Sequence, residues 1–189
     1  VKRGENYIDV SGTSFRDFFD GRNEAIPGER PTLSDWANHL STIFPEVRLK
    51  RYLEMRGADG VPWGRLPALP AFWVGLLYDN SSLDAAWDIV KRWNAPERQA
   101  LRDDVPRMGF KARIKDRYLF EIAKECLVLA HAGLRRRGHV DHLGRDESRH
   151  LEPLDRILDS GRSPAEEMLE KFNGPWAGSV EPAYSEYAF

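Results

Sequence analysis

The chain has 189 residues, 41% hydrophobic and 31% charged, with 28 basic against 30 acidic side chains and a formal net charge of −2. That length supports one well-buried domain or half of a larger one. The charge balance lacks the basic excess of a polyanion binder, and no apolar run approaches the roughly 18 residues of a membrane span.

One cysteine, Cys126, excludes an internal disulfide and fits a reducing compartment. The first residues show neither the apolar core nor the cleavage site of a signal peptide, so the expectation is a soluble, cytoplasmic protein with no nucleic-acid or membrane partner. Val1 is not an initiator methionine, and the chain is therefore expected to be a fragment or a processed product.

Tyr7 to Val10 alternates and predicts a short strand, after which Ser11-Gly12-Thr13-Ser14 offers an N-cap for a helix from Phe15 to Phe19. Gly21, Pro27, Gly28 and Pro31 make residues 20 to 31 a loop able to fold over a site. Thr32 or Ser34 caps a helix carrying Trp36, His39, Leu40 and Ile43 at helical spacing, and Pro45 closes it. The stretch from Val47 to Arg56 then reads as one strand running into the turn Gly57-Ala58-Asp59-Gly60. Its two-residue period sends Val47, Leu49, Leu53 and Met55 one way and Arg48, Lys50, Tyr52, Glu54 and Arg56 the other.

Residues 61 to 70 hold too many breakers for a regular element, and from Ala71 the chain turns helical. Ala71 to Tyr78 predicts a buried helix, and Leu83, Ala86, Trp87 and Val90 mark the face of an amphipathic one. A further helix starts near Pro96 and runs towards Val105. The longest spans 116 to 137, with Leu119, Ile122, Ala123, Cys126, Leu127, Ala130 and Leu134 on one stripe and Gly138 as its stop. Helices near 151 to 159 and 164 to 173 follow. The class is α+β, with strands confined to the first third.

Glu54 and Arg56 project from one face of the charged strand, roughly 7 Å apart along it. A carboxylate there can take Mg²⁺, and a guanidinium can clamp a phosphate or carboxylate in bidentate fashion, a combination suited to phosphoryl transfer. From spacing alone, a cross-strand ion pair on a solvated sheet outranks that reading. Trp63 and Trp73 beside prolines are expected to pack in the core, as is His39 within its helix. His139, His142 and His150 lie among Asp141, Asp146 and Glu147, but the spacing matches no closed zinc site. Arg135-Arg136-Arg137 complements a helix C-terminus before it suggests nucleic acid, and Cys126 falls on an apolar stripe rather than in a nucleophile's setting.

The block Thr32-Leu33-Ser34-Asp35-Trp36-Ala37-Asn38-His39-Leu40, continuing through Ile43-Phe44-Pro45-Glu46 to Gly60, closely resembles plant-type and proteobacterial glutamate–cysteine ligase. The resemblance runs on through Ala68-Leu69-Pro70-Ala71-Phe72-Trp73-Val74-Gly75-Leu76-Leu77-Tyr78-Asp79. It then thins, reaching Arg135-Arg136-Arg137-Gly138, Ser163-Pro164-Ala165-Glu166 and Asn173-Gly174-Pro175-Trp176, and so covers essentially the whole chain.

What the resemblance implies is ATP-dependent joining of L-cysteine's amino group to the γ-carboxylate of L-glutamate through γ-glutamyl phosphate, the first step of glutathione synthesis. It implies a glutamine-synthetase-like fold in which residues 1 to 189 form a C-terminal segment of a larger catalytic domain, 1 to 60 carrying the site strands and 61 to 189 the helices. In that family a Glu-x-Arg strand supplies a Mg²⁺-ligating carboxylate and an arginine handling phosphate or acyl group, which Glu54 and Arg56 match. The missing N-terminal part of the polypeptide would supply further ligands, so the segment alone is expected to be inactive.

Departures from the family stand at Val10 and Ala25, where plant members carry a redox-linked cysteine pair, and at Val61, Gly64 and Pro67. Asp59 and Trp63 match the motif without an assigned step. Competing expectations are another carboxylate–amine ligase of the same fold, a non-catalytic helical packing or oligomerisation module, and a nucleic-acid module resting on Arg135 to Arg137.

Overall fold

The computed structural model describes residues 1–188 and divides into two compact units, Val1–Asp59 and Gly60–Phe189. Helices joined by short antiparallel hairpins make the fold α+β.

The first unit begins with a hairpin of β1 (Lys2–Arg3) and β2 (Asn6–Tyr7), paired Lys2 with Tyr7 and Arg3 with Asn6. This corrects the strand expected from Tyr7 to Val10: Gly4, at φ +60°, turns the chain before that stretch begins. Ser14 caps α1 (Phe15–Phe19). α2 (Leu33–Ser41) opens on a capping box in which the Thr32 hydroxyl accepts from the Asp35 N–H and the Asp35 carboxylate accepts from the Thr32 N–H. Asp35 also takes Arg3 Nη1–H at 2.9 Å, tying the first hairpin to α2.

Only Phe18 and Ile26 are fully buried apolar side chains among the described residues of this unit. Leu33, Leu40, Ile43, Phe44, Val47, Leu49 and Leu53 face solvent. His39 is not the core histidine expected: it is half-buried and stacks on Phe15, centroids 4.3 Å apart, with Trp36 alongside.

The stretch expected as one strand is instead a hairpin of β3 (Val47–Leu49) and β4 (Leu53–Met55). Lys50 N–H donates to the Tyr52 carbonyl across the tip, and the register sets Val47 against Met55, Arg48 against Glu54 and Leu49 against Leu53. Each partner pair has like parity, so the turn preserves the alternation read from the sequence: apolar groups share one face and charges the other.

The second unit is a helical bundle. α3 (Ala68–Leu77), α4 (Asn80–Val90) and α6 (Leu119–Arg137) pack around Ala71, Leu76, Leu127, Ala130 and Leu134, with Leu151 and α7 (Glu152–Ser160) closing one side. α3 and α6 cross at Gly75 and Gly133, where a Cβ on either residue would strike the other helix's backbone. α5 (Ala95–Met108) starts on an Asn94–Glu97 capping box with Pro96 in its first turn.

Strands are not confined to the first third. β5 (Arg113–Ile114) and β6 (Arg117–Tyr118) form a hairpin immediately before α6, turning through Lys115 at φ +54° and burying Ile114. No glycine marks that turn, so sequence punctuation does not reveal it. α8 (Pro164–Asn173) and the unanticipated short α9 (Glu181–Glu186) complete the chain. Trp63, expected in the core, is 74% exposed because the three-residue helical turn at Trp63–Arg65 points it outward, whereas Trp73 packs against the bundle core.

Candidate active-site hairpin

The charged face of β3 and β4 gathers three cationic side chains around one carboxylate. Glu54 Oε2 accepts from Arg48 Nε–H at 2.7 Å, across the strand pair, and from Arg56 Nη1–H at 3.2 Å. Lys50 Nζ lies 3.7 Å from Oε1. All four are partly exposed, with side-chain accessibilities between 27% and 42%. The Arg48 hydrogen bond, helped by the charge of Arg48, the bond from Arg56 and the charge of Lys50, holds the Glu54 carboxyl below the usual range against the opposing effect of desolvation.

Three cations on one carboxylate leave the face with an excess of two positive charges. Such a surface suits a phosphate or carboxylate oxygen, and arginine adds a planar fork for it. Arg56 is fixed further by its backbone N–H donating to the Glu46 carbonyl at 2.8 Å and by its guanidinium lying 5.4 Å from the Phe44 ring centroid. Lys50 lies over the Tyr52 ring.

Glu54 and Arg56, predicted from sequence, are therefore brought together, and the cross-strand ion pair weighed against that reading is also present, between Arg48 and Glu54. The roles of Arg48 and Lys50 were missed. Only the hairpin register, which sets Arg48 opposite Glu54, reveals them. Asp59 is exposed.

Other groups singled out by sequence are engaged elsewhere. Asp141 accepts from the backbone N–H groups of Leu143 and Arg145 and pairs with Arg145 and Arg149, Asp146 caps the turn at Glu147–Leu151, and Glu147 pairs with Arg137. No group of three or more His, Cys, Asp or Glu side chains is placed to hold a metal ion among the described residues. Arg136 forks onto Asp79, which caps α4, and its Nη2–H also donates to the buried Ser82 hydroxyl. These contacts bind α6 to α4. Arg137 lies over the Tyr78 ring. Cys126 is half-buried, and burial raises its thiol pKa, so it lacks the thiolate character of a nucleophile. His131, passed over in the sequence, sets Nε2 2.9 Å from Asp155 Oδ1 and joins α6 to α7. A cleft of about 650 Å³ between α1 and α2 is lined by Phe15, Phe19, Leu33 and Trp36.

The geometry gives a strand-borne carboxylate set among two arginines and a lysine, on a chain of mixed helices and hairpins. Residues 2–186 match the family model described as glutamate–cysteine ligase family 2, and the chain belongs to that family. It is 50% identical over 189 residues to the chloroplastic glutamate–cysteine ligase of Solanum lycopersicum, covering all of this chain and 35% of that protein. It is 50% identical over 187 residues to the chloroplastic enzyme of Arabidopsis thaliana, covering 99% of this chain and 35% of that one. Against glutamate–cysteine ligase A, chloroplastic, of Oryza sativa subsp. indica the identity is 50%, over 37% of the relative's length. The chain thus spans little more than a third of the curated relatives it matches.

The cytoplasmic expectation is overturned. The relatives are named chloroplastic, and a near-neutral chain with one cysteine does not single out the cytoplasm.

Proposed function

We propose that the chain is part of an ATP-dependent ligase joining the γ-carboxylate of L-glutamate to the amino group of L-cysteine. Membership of the ligase family carries the reading, and the charged face of β3 and β4, with Arg56 beside Glu54, supports it. A glutamate oxygen attacks the terminal phosphorus of ATP, releasing ADP and leaving γ-glutamyl phosphate. Cysteine's nitrogen then attacks the acyl carbon, and inorganic phosphate departs.

Both steps build negative charge on oxygens that Arg56 is suited to hold, because its guanidinium is fixed from two sides and offers paired donors. Mg²⁺ in nucleotide sites is held by one or two carboxylates together with substrate phosphates. Glu54 fits that need: its Oε1 has only a loose lysine contact at 3.7 Å, and arginines for the phosphate stand beside it. Bound there, the ion would neutralise charge on the transferring phosphoryl group.

The glutamine-synthetase-like architecture and the inactivity of this segment alone belong to the same proposal. The apolar face of the hairpin supports it, since Leu49 at 80% and Leu53 at 65% exposure are surfaces that further chain would cover. The test is product analysis of the complete polypeptide with ATP, glutamate and either cysteine or a non-thiol amine. Thiol-dependent γ-glutamylcysteine formation is expected. Preference for a non-thiol amine would replace the substrate assignment, and absence of any ATP-dependent amide product would end the ligase reading.

A further inference from the structure

Resting on the reading of Glu54 as a metal ligand, we infer that Arg48 is a positioning residue that occupies Glu54 in the cation-free state and competes with the metal for it. The observations are the register and the share of the carboxylate each partner takes. Arg48 stands directly across from Glu54, and its Nε–H makes the shorter of the two hydrogen bonds to Oε2, 2.7 Å against 3.2 Å for Arg56. Arg56 has the Phe44 ring and a backbone anchor besides Glu54.

A divalent cation arriving at the open Oε1 is repelled by the two guanidinium groups held on Oε2 and by the nearby ammonium, so its binding is weakened while Arg48 stays in place. Both partners are partly exposed, Arg48 at 38% and Glu54 at 29%, so the pair is weak enough to open without unfolding the hairpin. When Glu54 turns to a cation, Arg48 is released onto the same face as Lys50 and Arg56, where an anionic ligand can take it up. Arg48 thereby couples metal occupancy to anion binding. An arginine that only braced the strand pair would orient Glu54 for the metal instead of opposing it.

Mn²⁺ alone, titrated into the complete polypeptide and followed by electron paramagnetic resonance without nucleotide or substrate, separates these roles. Glu54→Gln is expected to remove one class of bound Mn²⁺, which defines the site. For that class Arg48→Gln is expected to tighten binding about fivefold, the scale of a partly exposed ion pair. The milder Arg48→Lys, which keeps a charge but loses the planar fork, tightens it about twofold and serves if the glutamine variant misfolds. Unchanged or weaker binding in both Arg48 variants, with the Glu54-dependent class intact, overturns the competition and leaves the ligase site standing. If Glu54→Gln leaves Mn²⁺ binding untouched, the site reading falls and the competition falls with it.

Discussion

Replacing Gly133 by alanine tests the closest packing in the helical unit. A Cβ on Gly133 would collide with the Gly75 carbonyl oxygen and stand 2.9 Å from both the Gly75 carbonyl carbon and the Ser82 hydroxyl. Two of those atoms are backbone of α3, and Ser82 is fully buried, donating to the Leu129 carbonyl at 2.8 Å. None can yield without moving a helix. Overpacking of this kind costs up to about 3 kcal/mol, whereas alanine in a helix interior returns about 1 kcal/mol through backbone entropy. The difference is a net loss of about 2 kcal/mol, or about 8 °C in melting temperature for a unit of this size. Thermal and urea unfolding followed by far-ultraviolet circular dichroism measure it. An alanine variant as stable as the parent, or more so, would mean that α3 and α6 do not cross in contact at these glycines.

Two further outcomes follow from the ionic anchors. Asp79→Ala removes both the N-cap of α4 and the forked acceptor of Arg136, and is expected to cost about 2 kcal/mol in urea unfolding; a loss under about 0.5 kcal/mol would show that the cap and fork contribute little. The Arg3 hydrogen bond, followed by the Thr32 N–H and hydroxyl bonds, holds Asp35 at about 2 in the folded chain against an ordinary 3.8. A depressed folded-state pKa contributes stability that is present above about pH 4 and is lost as pH falls towards 2. Urea midpoints measured from pH 5 to pH 2.5 should decline in the parent and decline less in Asp35→Asn, and parallel curves would refute that contribution.

Much of the fold is legible in the sequence because its signals are local. Thr32 with Asp35, Asn94 with Glu97 and Ser163 with Glu166 mark helix starts that the structure makes as capping boxes, and Gly138 ends α6 in a left-handed conformation. The hairpins are less legible. The tip Lys50-Arg51-Tyr52 and the turn at Lys115-Asp116 contain no glycine, asparagine or proline, so nothing in them interrupts the reading of one strand or of a loop. Alternation from Val47 to Met55 shows that charges share a face, but a three-residue tip conserves parity and hides the reversal. Whether Glu54 and Arg56 form a site or a solvated ladder is not a matter of spacing, since both require the same residues at the same register. The excess of two positive charges around Glu54 emerges only when Arg48 is set across from it.

The central claim is that this face carries a metal-ligating carboxylate of a glutamate–cysteine ligase. Its most direct test is the Mg²⁺ dependence of γ-glutamylcysteine formation by the complete polypeptide and by its Glu54→Gln variant. Glutamine keeps the volume and a carbonyl oxygen but not the charge. The account predicts a fall in kcat/KM of at least about a hundredfold, the scale of losing one preorganised electrostatic contact in a transition state, partly relieved by raising Mg²⁺, with folding unchanged. Near-normal turnover of the variant at limiting Mg²⁺ would contradict it.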